Sequence, residues 1–514
     1  MPHVDKVIVT NVAALKAKYL NRYHLVSNAV QQVIAADRTR GLTTRLVALD
    51  DGPVLRRMGG APVPDPSDAG ATKRAIDAVW RSARPDYLLI LGAPDIVTHQ
   101  NLLNPVYAPG DDDDRYAPSD LPYACDEPYS QKIADFRGPT RVVGRLPDLN
   151  GSGDAAYFAR VLRVAATFRE RPAGRYDTYF GLSAHVWRKS TALSLENMFG
   201  KTSQILHRSP TEGPGWRASQ LNALTHFINC HGGSADPKFY GQRGESYPIA
   251  MESARLDRKV RNGTVVAAEC CYGAQLFDPN IPGGEMGICN RYLGHGAYAF
   301  FGSSTIAYGP SEGNGSADLI CQFFIQRVLA GASTGRAALE ARVTFVMHAT
   351  HLDPTDLKTL AQFNLMGDPS ITIVGKATHA LQRSRVYRDA FDGKGEQIAR
   401  QQRRQRAVRD GRTVDATAGA ARPAPSKRIP PTVRRALESA VRDAGLRPET
   451  AFAFGVDDPA RQTLGRSRVE GTTPSAFYVM SGRSLAGEKP RHLVVVATVQ
   501  DGHLVRLRRL HRRG

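Results

Sequence analysis

Apolar residues along the first 375 positions fall into two rhythms. Short unbroken runs (VIVT at Val7–Thr10, TRLVALD at Thr44–Asp50, PDYLLILGAPD at Pro85–Asp95, TRVVGRLPDL at Thr140–Leu149) alternate with longer helical patterns such as ATKRAIDAVWRSA and DAAYFARVLRVAATF. Unbroken rather than alternating runs mark strands covered on both faces, the habit of parallel sheets. Helices between them make the class α/β. The rhythm repeats more loosely in DTYFGLSAHVW, LTHFINCHGG, TVVAAECCYGA, AYAFFGSSTIAYG, the helical DLICQFFIQRVLAG, and NLMGDPSITIVG, where a Gly-Asp-Pro turn is expected to lead into a last strand. The pattern predicts two consecutive α/β units with mainly parallel sheets, residues 1–172 and 173–380.

Between Ala390 and Pro431 the composition shifts to Arg, Gln, Ala, Gly and Pro. Such a stretch carries too little apolar surface to fold, so residues 381–431 are expected to be a basic flexible linker. Beyond it a helical TVRRALESAVRDAG and the strand-like AFAFGV, SAFYVMSG and HLVVVATVQDGHLVRLRRL predict a small α+β domain over 432–514. Its last two strands would turn at Asp501-Gly502.

Charge sharpens this division. The net charge is +19, yet residues 381–514 carry 28 Lys+Arg against 13 Asp+Glu, while the other residues carry 40 against 36. A nearly neutral body with a basic C-terminal quarter leaves room for an acidic partner or nucleic acid there, although a solvated segment accounts for the same charge. Apolar runs are strand-sized, below the roughly 18 residues a membrane helix needs. Charges interrupt any signal-like core near the N-terminus. Six cysteines are too few for a disulfide scaffold. A cytoplasmic protein without membrane contact is expected.

Candidate chemistry concentrates in a few stretches. Asp111–Asp114 offers hard oxygen ligands for a structural calcium ion, though a solvated acidic loop reads the same way. Cys230, His231, Cys270 and Cys271 are zinc-type ligands without zinc spacing, since neighbours on a strand point to opposite faces. A Cys270–Cys271 disulfide would close a strained ring. Nucleophilic catalysis fits better. THFIN ends in Cys230-His231-Gly232-Gly233 and VVAAE ends in Cys270-Cys271-Tyr272-Gly273. Each is an apolar strand with a reactive side chain at its end, followed by glycine. A thiol needs a nearby imidazole to take its proton, and glycines let backbone N–H groups approach a substrate carbonyl. His295, in Gly294-His295-Gly296, is read as a helix-end residue.

At these residues the chain resembles the gingipain-like family of clan CD cysteine peptidases, the caspase-fold enzymes. The likeness spans roughly residues 5–375: the Leu-rich strand of PDYLLILGAPD, the VGR segment, His-Gly, the strand ending in Cys with Gly three further on, the Gly-Ser-Ser strand and the Leu-x-Gly-Asp-Pro turn. The resemblance implies a non-catalytic α/β unit followed by a caspase-like catalytic unit. It implies His231 as the histidine, Gly232 as an oxyanion N–H donor and Cys270 as the nucleophile, with Cys271 the rival under a caspase-like Cys-x-Gly spacing. Ser303 and Ser304 are expected in the wall of the substrate pocket. The implied activity is cleavage of peptide or protein substrates through a thioester, with no cofactor. The alternative from another class is a catalytically silent caspase-fold adaptor that binds through its basic C-terminal region. The secretion signal and immunoglobulin-like domain of gingipains have no counterpart read in this sequence.

Overall fold

The computed structural model describes residues 4–209, 215–349, 351–374, 419–457, 476–484, 492–500 and 502–512. The first half runs β1 (Lys6–Thr10), α1 (Val12–Tyr19), α2 (Tyr23–Thr39), β2 (Thr44–Ala48), α3 (Gly52–Arg57), α4 (Ala69–Ala83), β3 (Tyr87–Leu91), β4 (Gln100–Leu103), β5 (Tyr116–Ser119), β6 (Val143–Leu146) and α5 (Ala155–Thr167). The second runs β7 (Tyr179–Ser183), α6 (Arg188–Phe199), β8 (Ile205–Leu206), β9 (Thr225–Asn229), β10 (His231–Gly232), β11 (Lys238–Tyr240), β12 (Ile249–Glu252), β13 (Val265–Ala268), α7 (Ile288–Gly294), β14 (Ala299–Ser303), β15 (Tyr308–Gly309), α8 (Ala317–Leu329), α9 (Thr334–His348), β16 (His351–Leu352), α10 (Pro354–Gln362) and β17 (Phe363–Gly367).

Strands from both halves join one ten-stranded sheet, in the order β2-β1-β3-β6-β17-β14-β13-β9-β7-β8. Its pairings are parallel except β14 with β17. The central strands β1, β7, β9, β13, β14 and β17 are buried at every residue, as the unbroken apolar runs require. On β9, His226 bonds Tyr292 of α7 while Asn229, three residues on, bonds Thr191 of α6. The strand therefore sends alternate side chains to helices on opposite faces. Asn11, Asp51, Asp68, Asp154, Ser333 and Asp353 cap helix N-termini through side-chain acceptors.

Buried ion pairs brace the first half and tie it to the second. Lys6 on β1, fully buried, is 2.9 Å from Asp37 and pairs with Asp368 of the Gly-Asp-Pro turn. Arg145 on β6 grips Asp120 in bidentate fashion, at 2.9 and 2.6 Å, and donates to the carbonyls of Gly92 and Val97. His99 bonds the same Asp120 at 3.0 Å. The arginine of the VGR segment thus organises the loop after β3. A β-carbon at Gly144 would sit 2.7 Å from the carbonyl of Gly367, so glycine lets β6 and β17 touch.

Three local features depart from the sequence pattern. The 100–119 region forms a β4–β5 hairpin within what reads as a polar loop. His231 and Gly232 begin a small antiparallel sheet, β10-β11-β12. In the NLMGDPSITIVG segment the long strand precedes the Gly-Asp-Pro turn rather than following it. Phe363–Gly367 takes the buried sheet position, and Thr372 and Val374 make isolated bridges only.

The C-terminal residues form β18 (Gly419–Pro423), α11 (Pro431–Arg442), β19 (Arg447–Asp457), β20 (Ala476–Arg483), β21 (His492–Gln500) and β22 (His503–Arg512). β18 lies within the stretch expected as linker; residues 381–418 of that stretch lie outside the described residues. Val433, Leu437 and Val441 of α11 pack with Tyr478, Met480 and Val495 of the strands in a core of their own. The β21–β22 turn has Gly502 at φ 79°, the conformation the Asp-Gly reading asks for; Asp501 is outside the described residues. The seven-stranded sheet reads β15-β22-β21-β20-β19-β18-β16, so strands of the second half close it at both ends. Among the described residues no helix is long and apolar enough to cross a membrane.

Candidate active site

β9 and β13 lie side by side in parallel register, Ile228 opposite Ala268, and the Glu269 amide donates to the Ile228 carbonyl at 2.8 Å. Both candidate stretches therefore end at the same edge of the sheet, where catalytic groups of open α/β sheets collect. His231 and Cys271 are each three residues beyond that last matched pair. The chain at Gly232 runs against the second cysteine: a β-carbon there would be 2.0 Å from the Cys271 carbonyl oxygen and 3.6 Å from Cys270 Cβ. Only glycine fits.

His231 is 7% exposed and held on three sides. Its ring lies 4.4 Å from Trp187 and 5.2 Å from Tyr247, centroid to centroid. Gln242 Nε2 donates to the Gly244 carbonyl at 3.1 Å, which turns Gln242 Oε1 toward His231 Nε2 at 2.8 Å. An acceptor at that point places the proton of the neutral ring on Nε2 and leaves the lone pair on Nδ1, the form a proton acceptor needs.

The two thiols face different surroundings. Cys270 Sγ points toward the Ile228 carbonyl, 4.0 Å away. Burial, with Cys230 beside it, raises its pKa well above that of an ordinary thiol. Cys271 Sγ accepts the Ala307 amide at 3.0 Å. Burial pushes this thiol up to about 12, against the pull of Arg512 and the Ala307 N–H. Both cysteines are fully buried, so in this conformation each is a protonated thiol. None of the six cysteines is in a disulfide.

After the cysteines the chain turns sharply. Gly273 N donates to the Cys270 carbonyl at 3.2 Å, and Tyr272 takes φ 54°, a conformation rare outside glycine. Two contacts hold it: Tyr272 N to the Thr305 carbonyl at 2.9 Å, and its hydroxyl to Asp114 at 2.8 Å. Asp114 also accepts the Ile306 amide at 2.8 Å, and Asp112 accepts the Tyr308 hydroxyl at 2.8 Å and pairs with buried Lys358. The acidic run of the first half thereby pins the 305–308 segment beside Cys271. These carboxylates face protein donors, and among the described residues no group of three or more His, Cys, Asp or Glu is arranged to hold a metal ion. The sequence pattern alone could not show this role, because the donors come from residues distant in the chain.

Ser303 and Ser304 border the same segment. The Ser303 hydroxyl donates to the Thr305 carbonyl at 2.8 Å, and that of Ser304 to Pro118 at 2.6 Å. Both hydroxyls thus shape the turn into β15. His295 caps the end of α7 and lies 3.1 Å from Asp257.

A solved structure described as "Structure of Protease" aligns over 99% of this chain and 98% of its own, at 10% identity and a TM-score of 0.47. No curated protein matches. The family model of peptidase family C25 matches residues 2–374, the whole of the ten-stranded body. The chain therefore belongs to peptidase family C25, the gingipain family of clan CD cysteine peptidases.

Proposed function

We propose that the chain is a cysteine endopeptidase that cleaves peptide bonds through a thioester, with His231 and one thiol of the Cys270-Cys271 pair as its dyad. The observation that carries this reading is the apposition of Gly232 to Cys271, which brings the histidine-bearing strand end against the cysteine-bearing one. The thiol loses its proton toward His231, and the sulfur attacks the peptide carbonyl carbon. The oxyanion is met by the Gly232 N–H and the nucleophile's own N–H. The C–N bond then breaks as the imidazolium gives its proton to the leaving amine. Water attacks the thioester, the acid departs and the thiol returns.

The Cys-x-x-Gly spacing favours Cys270. Position in the fold favours Cys271, which we take as the first assignment. Its sulfur lies beside Ala307, next to the strand edge at Tyr308, whereas that of Cys270 points at the Ile228 carbonyl within the core. Ser303, Ser304 and the Asp112–Asp114 carboxylates frame the pocket wall in this reading.

The test is labelling with acyloxymethyl ketone or peptide aldehyde probes carrying basic, acidic or neutral side chains, with the adduct mapped by mass spectrometry. An adduct on Cys271 that is absent in Cys271→Ser and in His231→Ala is expected. An adduct on Cys270 reverses the assignment of the nucleophile. If iodoacetamide reaches both cysteines and no probe class labels either, the peptidase reading fails.

A further inference from the structure

The edge strand that follows the Cys271 sulfur's amide partner, Ala307, is already occupied. β22 lies antiparallel on β15, with Arg512 opposite Tyr308 and His511 opposite Gly309. β15 follows directly from Ala307, the residue whose amide meets Cys271 Sγ. A peptide presented to that sulfur in extended form could add to the same edge, because main-chain pairing along a strand edge is a recurring mode of peptide recognition. The final residues of β22 are where such a peptide would lie.

The seating is specific. β22 is exposed over most of its first half and becomes covered only toward its end, where Leu510 is buried. Arg508 is tied to Asp353 and, at 2.9 Å, to Asp356, both in the first turn of α10 or its cap, and it donates to Ser316 at 3.0 Å. Arg512 donates to the Asp111 carbonyl at 2.6 Å, and His492 on the neighbouring strand bonds the Asp111 carboxylate at 3.3 Å. Three of the anchors on the body, Asp111, Asp353 and Asp356, are acidic, and they meet the basic C-terminal region. A partly buried arginine held by two carboxylates is a strong and directional fixture.

We propose that β22 is an internal cap: the protein's own C-terminal strand fills the peptide-binding edge at β15 and seals the Cys271 thiol until it is displaced. The cap rests on the peptidase reading for its purpose but not for its existence, which is a matter of access to a sulfur. It explains why Cys271, at a sheet edge beside β15, is fully buried in a protein of this family. It also assigns the basic C-terminal module a role within the chain.

The test uses the full chain and a small alkylating agent. Arg508→Glu puts a third carboxylate against Asp353 and Asp356 and repels β22; Arg512→Ala removes the contact to Asp111 and leaves that cluster intact. Arg508→Lys keeps the charge and is the control. Either releasing variant that remains folded is expected to raise amide exchange across residues 503–512 and to raise the rate of Cys271 alkylation by iodoacetamide by about tenfold or more, as local opening becomes easier. A synthetic peptide of residues 503–512 added to the released variant is expected to restore protection. If exchange across 503–512 rises and Cys271 alkylation stays at the wild-type rate, β22 is not the cap. If the thiol is uncovered and no peptide is hydrolysed, the cap stands and the peptidase reading falls.

Discussion

Gly232 and Cys271 approach so closely that a β-carbon on the first would lie 2.0 Å from the carbonyl oxygen of the second. This is backbone against backbone, so no side-chain rotation can relieve a substitution. Gly232→Ala is expected to lower kcat/KM for peptide hydrolysis by about a hundredfold or more, the scale of losing an oxyanion donor. A β-carbon at Gly233 would meet Asp236 Cβ at 3.2 Å, a contact that a small shift relieves, so Gly233→Ala is the milder change. Steady-state kinetics on the two variants, each checked for a retained folded circular dichroism spectrum, decides the matter; equal losses would mean the Gly232 contact is not special.

The Gln242 side chain, with its amide oxygen turned to His231, favours the tautomer protonated on Nε2. Gln242→Leu removes the acceptor at 2.8 Å and frees the ring to change tautomer or rotate. We expect a fall in kcat of about 10–100-fold, the range for losing a partner that orients a functional histidine. Gln242→Glu retains an acceptor and is expected to recover most of the rate. A Leu variant with unchanged kcat and unchanged pH profile would remove Gln242 from the machinery.

Arg145 and Asp120 hold the loop after β3 from within the core, both nearly without exposure. The Arg145 guanidinium and the His99 ring outweigh burial and keep the Asp120 carboxyl well below the usual carboxylate range. Removing one partner strands a buried charge. Arg145→Met is expected to destabilise the body by about 3–5 kcal/mol. Arg145→Lys preserves charge but loses the bidentate grip and the bonds to the Gly92 and Val97 carbonyls, so it is also expected to destabilise. Denaturant midpoints report both; an unchanged midpoint for Arg145→Met would show that the network contributes nothing net.

Much of the body was legible because its signals are local. Unbroken apolar runs gave the buried strands, and the Cys-His-Gly-Gly and Cys-Cys-Tyr-Gly stretches ended strands at one sheet edge, where the structure places them. What escaped depends on distant partners. Asp112 and Asp114 read as a solvated or calcium-binding loop until Lys358, Tyr308, Tyr272 and the Ile306 amide, all more than 150 positions away, are seen to satisfy them. Arg508 and Arg512 read only as part of a basic C-terminal domain, Arg508 within its last strand, whereas each has a fixed acidic or carbonyl partner on the body. The order of strand and turn around Gly367 was missed for a related reason. FNLMG and SITIV are both strand-like, and only packing against β14 and β6 selects the first.

His226 makes the fold sensitive to acid independently of the site. It sits on β9 with Nδ1 2.8 Å from the Tyr292 hydroxyl and Nε2 3.0 Å from the Ala223 carbonyl, fully buried. Burial lowers its pKa from 6.5 to about 4, against the opposing pull of the Ala223 and Leu221 backbone. Because the folded value lies below the unfolded one, the unfolded chain takes up the proton first as pH falls. The stability contributed by the neutral ring is therefore complete above about pH 6.5 and declines as pH drops toward 4, by roughly 3 kcal/mol at most. His226→Gln retains hydrogen-bonding groups at the position and cannot titrate there. Its stability is expected to fall less steeply than the wild type's over that window, while the two curves run parallel above pH 7. Thermal melts at half-unit pH intervals make the comparison, and parallel curves throughout would show that His226 does not carry the acid sensitivity.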